Sequence, residues 1–295
     1  MTGSRIVVFG DVIDDIVVVP NGAIRVDTDT VSSIRNRAGG SAANAAAWMA
    51  VAGASVDFVG VVGTDDVARH TASLAKAGVV PHLIGHDSLP TGTIVVIVDG
   101  ERRTMLTETG ANAAMSPDDV GDALLDGAGL LHFTGYSLFG RSDDSAIRRL
   151  IERCASRGVQ VSVDPGSAGF LADYGSARFL AAVRGASLFF PNLEEGRMLT
   201  GLEQPDEIAT ALLEHFRLVA LTLDTDGVVL ARRGSPIVHI DAIAADIVDP
   251  TGAGDAFAAG FLAEWLRAGD DESSARAGVL TGAQAVATIG GRPRV

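Results

Sequence analysis

The chain has 295 residues, with 37 acidic side chains against 23 basic ones and a net charge of −14. Such a surface repels phosphate backbones, which argues against nucleic acid as a partner. Apolar residues make up 47% of the chain, aromatics only 5%, and there are 35 glycines. Small apolar side chains with glycine-punctuated turns suit helices packed on a sheet, so the composition points to a layered α/β enzyme and away from a fibrous or disordered chain. Cys154 is the only cysteine. No internal disulfide can form, in keeping with a reducing, cytoplasmic location.

Taken in chain order, Ile6–Phe9 reads as a first strand rather than a signal peptide, because Gly10 and Asp11 cut the apolar run short. No uncharged apolar run approaches the ~20 residues that cross a bilayer, so no membrane association is expected. Further strands are expected at Ile16–Val19, Val56–Val62, Thr93–Val98, Leu130–Phe133, Val159–Val163, Leu188–Phe190, Val219–Leu223 and Val228–Ala231. Helices are expected at Ala42–Ala52, Val67–Ala77, Asp143–Arg157, Asp206–Phe216, Ala253–Ala268 and Glu272–Thr288, with a start signal at Ser116-Pro117-Asp118-Asp119. Asp65 is expected to cap the helix that follows it. From about residue 120 strands and helices alternate, which predicts right-handed crossovers and a parallel sheet covered on both faces. Thr93 to Leu106 reads as an antiparallel hairpin. The expected architecture is one α/β domain over residues 1–295, a mostly parallel sheet flanked by helices, carrying a small β-sheet.

The segment richest in chemical meaning is Asp249-Pro250-Thr251-Gly252-Ala253-Gly254-Asp255-Ala256-Phe257. A glycine-rich turn that opens a helix leaves backbone N–H groups pointing outward, and with the helix dipole they form an anion site needing no basic side chain. An acidic protein that binds an anionic nucleotide needs such a spot. Asp255, in the first turn, can simply compensate the helix dipole. Beside an anion hole it can also accept a proton from an attacking hydroxyl.

This segment resembles the carboxy-terminal signature of the ribokinase-like (PfkB) carbohydrate kinase family, D-T-x-G-A-G-D-x-F, departing from it at Pro250. The resemblance implies a ribokinase-like fold, Asp255 as catalytic base, and a phosphate cradle from the amides of Gly252, Ala253 and Gly254. It implies ATP and Mg²⁺, and K⁺ held with the help of Asp249. Asn192 and Glu195 match the family's N-x-x-E element, which organises Mg²⁺ and water, although the same letters describe any helix start with an Asn cap. Thr222 and Gly227 match its nucleotide-side T-x-G-x-x-G, where Asp224 replaces a glycine and is expected to face solvent.

Towards the amino terminus, Gly39, Gly40 and Asn44 match the family's G-G-x-x-x-N, and Asp15 stands where a family aspartate binds substrate hydroxyls. These four are the implied acceptor residues; Asp11 and Asp14 are neighbours without an assigned role. Residues 13–37 and 93–109 resemble the family's lid, which excludes water from the sugar and in many members pairs with a second lid to make a homodimer. Thr109 occupies the place of an arginine found in members acting on sugar acids, although Arg102 or Arg103 could supply charge. Ser41 replaces ribokinase's lysine, and no glutamate follows Phe133. The expected activity is therefore phosphorylation of a hydroxyl, a primary one, on a small sugar. A nucleoside kinase, a keto-deoxy-gluconate type kinase and a non-catalytic ligand sensor are the alternatives. The lack of a G-x-G-x-x-G after the first strand argues against a nicotinamide enzyme.

Overall fold

The computed structural model describes residues 5–99, 102–138 and 141–294. Gly100, Glu101 and the side chains of Arg102 and Arg103, weighed above as a source of substrate charge, lie outside the described set. The first strand, β1 (Arg5–Phe9), leads into β2 (Ile13–Pro20) and β3 (Ser32–Gly39). Then come α1 (Ser41–Val51), β4 (Ser55–Gly63), α2 (Val67–Lys76) and β5 (Val80–His86). The hairpin β6 (Gly92–Asp99) and β7 (Arg102–Glu108) follows, then α3 (Asp122–Leu125), β8 (Ala128–Thr134), α4 (Ser145–Ser156) and β9 (Gln160–Asp164). Beyond them lie α5 (Ala168–Tyr174), α6 (Ser176–Ala182), β10 (Leu188–Phe189), α7 (Leu193–Thr200) and α8 (Pro205–Leu212). The chain ends with β11 (Leu218–Thr222), β12 (Val228–Arg232), β13 (Val238–Ile240), α9 (Ala253–Ala268) and α10 (Asp271–Val286). No helix among the described residues is long and apolar enough to cross a membrane.

The large sheet has nine strands in the order β13-β12-β11-β10-β9-β8-β1-β4-β5. Alternate strand residues feed two cores. Val7, Phe9, Phe189 and Val219 pack with α4, α6 and α8, whereas Ile6, Val8, Leu188 and Ala220 pack with α1, α9 and α10. Helices thus cover both faces, and strand residues buried on both sides read as near-continuous apolar runs. β1 pairs in parallel with β4 on one side and β8 on the other. The chain order reverses between β1 and β8, which opens a crevice beyond the carboxyl ends of the strands.

The expected parallel alternation fails at the end of the sheet. β11 with β12, and β12 with β13, are antiparallel. A 3-10 turn over Asp224–Asp226 joins β11 to β12, too short for a crossover helix. The strands β3 and β5 carried no sequence signal: β3 is mostly polar and exposed, and β5 is an edge strand containing Pro81. Ser116 does cap a turn, accepting the Asp118 amide, but the turn is a short 3-10 segment and α3 begins only at Asp122. Asp65 does not cap α2. Its neighbour Asp66 precedes that helix and instead accepts a 2.6 Å bond from the Thr91 hydroxyl.

The second sheet has the order β3-β2-β6-β7, and β6–β7 is the antiparallel hairpin expected from the sequence. Two contacts tie its base to the body. Arg69 of α2 grips both carboxylate oxygens of Asp14 at 2.7 Å. The Arg292 guanidinium donates to the Gly39 carbonyl at 2.8 Å.

The helix that carries Asp255 is pinned from two directions. Phe257 and Phe261, one turn apart on α9, meet Phe190 edge-on at 6.3 and 5.1 Å. On its other side α9 approaches α10 through glycines: a Cβ on Gly260 would stand 2.2 Å from the Thr281 hydroxyl and 2.7 Å from the Ala277 carbonyl. Gly260→Ala is therefore expected to cost about 1–3 kcal/mol through overpacking, seen as a lower urea midpoint with an unchanged m-value. An unchanged midpoint would mean that the two helices can separate freely.

Candidate active site

The carboxyl ends of β1, β8, β9, β10 and β11 deliver Asp11, Thr134, Asp164, Asn192 and Thr222 to one rim of the sheet. Two helix starts face each other across it. Gly40 precedes α1 with φ +95, and a Cβ there would lie 2.5 Å from the Asp11 carbonyl, so only glycine fits. Asp11 holds this helix start: its carboxylate accepts the Ser41 amide at 2.7 Å and the Ala42 amide at 3.1 Å. A residue without an assigned role in the sequence is thus a helix cap, satisfying two of the orphan donors of α1.

Opposite it, Gly252 opens α9 with φ +78, and a Cβ would meet Gly291 at 2.6 Å. Asp249 braces this turn by accepting the amides of Thr251 at 2.9 Å and Gly290 at 3.0 Å. The amide of Ala253 is 3.3 Å from the Pro250 carbonyl, and the amides of Gly252 and Gly254 flank it at the same helix start.

The two helix starts are joined through Asp255. Its Oδ1 accepts a 2.6 Å bond from the Ser41 hydroxyl, and its Oδ2 accepts a 3.0 Å bond from the Asn44 amide nitrogen. Asp255 keeps some contact with solvent and so is not sealed in the apolar core. Protein surrounds it closely enough that burial raises its pKa to about 7, with Asp11 and Asp15 adding to the rise and the bonds from Ser41 and Asn44 opposing it. Ser41 was read from the sequence only as a missing lysine. Its place one residue after the glycine pair was the signal that it could reach the opposite helix.

Asn44 is buried, and its Oδ1 has no partner among the described residues. Asp15 is 8% exposed, and its carboxylate lies against Gly39, where a Cβ would be 2.2 Å away. No hydrogen bond reaches that carboxylate among the described residues. Burial raises its pKa to about 7 against the opposing charge of Arg292, with Asp11, Asp14 and Asp249 raising it further. The four acceptor residues expected from the sequence are therefore brought together, with Asp255 beside them.

On the far side, Asn192 and Glu195 form a capping box at the start of α7. The Asn192 side chain accepts the Glu195 amide at 2.9 Å, and the Glu195 carboxylate accepts the Asn192 amide at 2.9 Å. The structural role allowed for this motif is thus real. Asn192 also bridges to Thr222, so those two sequence motifs are adjacent. Gly227 is required at its turn, since a Cβ would stand 2.0 Å from the Ile240 carbonyl. Asp224 is exposed, as expected, at φ +50.

Two residues were missed. Asp164, at the end of β9, is pushed well above the usual carboxylate range by burial and by the charges of Glu195 and Asp255. Glu195 rises to about 7, chiefly through burial. Tyr136 has its ring against Gly166, meets Phe170 edge-on at 5.6 Å, and is held protonated by burial and the fields of Asp11, Asp255, Asp164 and Glu195. Nothing in their spacing marked either one. Among the described residues no cluster of three acidic, His or Cys side chains forms a metal cage. Two buried carboxylates that repel each other, each already accepting one backbone amide, Asp164 from Gly166 and Glu195 from Asn192, suit instead a hard divalent cation carried mainly by phosphate oxygens and water.

A family model described as "pfkB family carbohydrate kinase" matches residues 4–294. The chain belongs to that family. It is 37% identical over 253 residues to an ATP-dependent ribose-1-phosphate kinase of Halopiger xanaduensis, covering 82% of this chain and 78% of that protein. It is 30% identical over 309 residues to the bifunctional protein HldE of Shewanella putrefaciens, where the match covers 97% of this chain but only 62% of its relative. Adenosine kinase from Sinorhizobium meliloti superposes with a TM-score of 0.87 at 26% identity, covering 100% of this chain and 97% of that one. The ribokinase-like fold expected from the sequence is therefore established, as is membership of a carbohydrate kinase family.

The raised pKa of Asp15 has a consequence for stability. A carboxyl whose folded pKa is about 7 against an unfolded value of 3.8 stabilises the fold below the unfolded value, and that contribution is lost as pH rises through the folded one. Asp15→Asn is expected to be more stable than the parent at pH 8 by on the order of 1–4 kcal/mol, with the gap narrowing towards pH 5. Thermal unfolding at both pH values checks this, and a gap independent of pH would contradict it.

Proposed function

We propose that this pfkB-family chain is an ATP-dependent phosphotransferase that phosphorylates a hydroxyl, a primary one, of a small sugar. The observation that carries the proposal is the bonding of Asp255 to Ser41 and Asn44. It sets one carboxylate at the meeting point of the glycine pair expected to bind the acceptor and the glycine turn expected to bind phosphate. The acceptor lies over Asp15, Gly39, Gly40 and Asn44. The terminal phosphate of ATP lies at the amides of Gly252, Ala253 and Gly254, and the rest of the nucleotide runs towards Asn192, Thr222 and Gly227.

Asp255 takes the proton of the acceptor hydroxyl as its oxygen attacks the terminal phosphorus in line. The bond to the bridging oxygen breaks and ADP leaves. A pKa of about 7 suits this task, because a base works best when its pKa lies near the working pH. Asp164 and Glu195 would repel phosphate charge that a bound Mg²⁺ would neutralise, and Glu195 is the residue that would help to hold that ion. Asp249, with its carboxylate turned into the loop that carries Gly290, is the residue assigned to a monovalent cation such as K⁺.

The whole chain acts as one kinase domain in which residues 13–37 and 93–109 form the lid. Val19, Ile34, Met105 and Leu106 of its sheet are exposed, and pairing with a second copy to make a homodimer would cover them.

Asp255→Asn decides the central assignment. Turnover with the preferred acceptor is expected to fall at least about 10²–10⁴-fold, the range ascribed to general base catalysis, while ATP affinity measured by calorimetry holds. Near-normal turnover would remove Asp255 from the mechanism.

A further inference from the structure

The buried or half-buried arginines of this chain generally have carboxylate partners. Arg5 pairs with Asp57, Arg153 with Asp122, Arg178 with Asp144 and Arg232 with Asp271. Arg141, which donates to the Ser137 carbonyl, and Arg292 depart from the pattern, and of the two Arg292 is the one at the acceptor loop. It donates to the Ser73 hydroxyl at 3.1 Å and to the Gly39 carbonyl at 2.8 Å, both neutral, and forms no ion pair among the described residues. Its Nε is buried with no hydrogen-bond partner. In a protein with 14 more acidic than basic side chains, a guanidinium without a counter-ion is not explained by any shortage of carboxylates. Asp15, Asp11 and Asp14 favour its charge without any of them being bonded to it, and burial works against that charge.

Its position gives the reason. Arg292 bonds to the glycine pair of the acceptor loop, and its charge is the main one opposing the raised pKa of Asp15. A second arginine stands at the same place. Arg37 of β3 is directly opposite Asp15 of β2 in the antiparallel ladder, so the two side chains project from the same face of the small sheet. The Arg37 stem lies 3.8 Å from where a Cβ on Gly290 would stand, two residues before Arg292. The exposed side chain of Arg37 makes no hydrogen bond or ion pair among the described residues.

We propose that Arg292 and Arg37 form an anion subsite beside Asp15, so that the acceptor is a sugar bearing a phosphate or carboxylate on a carbon other than the one phosphorylated. Guanidinium groups match the planar, two-pronged geometry of both oxyanions. The subsite replaces the sugar-acid arginine whose place Thr109 fills, with charge supplied from the carboxy-terminal tail and β3. The inference rests on the kinase reading of the same cleft.

The test compares matched acceptors: a pentose and its phosphate, a hexose, its phosphate and its acid, and a nucleoside. ATP-dependent ADP release and calorimetric binding of each acceptor are both measured. An acidic acceptor is expected to exceed its neutral counterpart in kcat/KM, and the phosphate and acid arms identify which anion is used. Arg37→Ala, on an exposed strand, is expected to raise KM for that acceptor about 10–100-fold, the worth of one charge-assisted hydrogen bond, with the loss in KM exceeding any in kcat. Arg292→Lys is expected to retain part of the preference that Arg292→Ala abolishes. Neutral acceptors used as well as acidic ones, or an unchanged KM in both Arg37→Ala and Arg292→Lys, would overturn the subsite and leave the kinase reading standing. If no acceptor releases ADP, the kinase reading fails. Binding of the sugar phosphate, weakened by Arg37→Ala or indifferent to it, still decides the subsite.

Discussion

The whole site depends on one carboxylate shared between two helix starts. Asp255 lies 214 residues from Ser41 and 211 from Asn44, yet accepts a hydrogen bond from each. Most other features of the cleft serve to make those bonds possible. Asp11 fixes the start of α1, and Asp249 ties the glycine turn to the carboxy-terminal tail. Gly40 and Gly252 adopt backbone angles and close approaches that no side chain allows. Trp48 of α1 donates to the Gly291 carbonyl at 2.9 Å, so that tail also touches the opposing helix. Geometry of this kind gives the proposed base little freedom before substrate arrives, and pre-positioning is most of what phosphoryl transfer asks of a protein.

The same arrangement is costly for the empty protein. Asp11, Asp15, Asp164, Glu195 and Asp255 crowd one rim of the sheet, and burial raises the pKa of each. Among the described residues no lysine or arginine is bonded to Asp255 or Glu195. In the proposed mechanism the amides of the glycine turn and a cation arriving with the nucleotide would supply the positive charge. An active site that destabilises its own fold in this way is a common outcome where function needs buried, incompletely paired groups.

Much of this was legible in the sequence because glycine, aspartate and asparagine carry their reasons with them. The turn before Asp255 and the pair Gly39–Gly40 announce close backbone approach, and the apolar runs give the central strands. The illegible parts have physical causes. β3 is polar and exposed on most of its length, so no alternation marked it. β12 and β13 return antiparallel because a tight turn replaced a helix, and loop length alone does not foretell that. The partnership of Ser41 with Asp255 and the isolation of Arg292 are facts of tertiary placement, as are the positions of Asp164 and Tyr136. The Asn192–Glu195 motif illustrates the opposite difficulty, since one pair of residues serves as a helix cap and is available to organise a bound cation.

The most direct test of the account is the pH dependence of kcat/KM, compared between the parent and Ser41→Ala. A base with a pKa of about 7 in the free protein gives a rate that rises with pH and levels off above that value. The Ser41 bond lowers the Asp255 pKa, so its loss should move the ascending limb to higher pH. A parent profile flat from about pH 5.5 to 9, or a limb that Ser41→Ala leaves in place, would contradict the claim that Asp255 is the base and that the acceptor loop sets its strength.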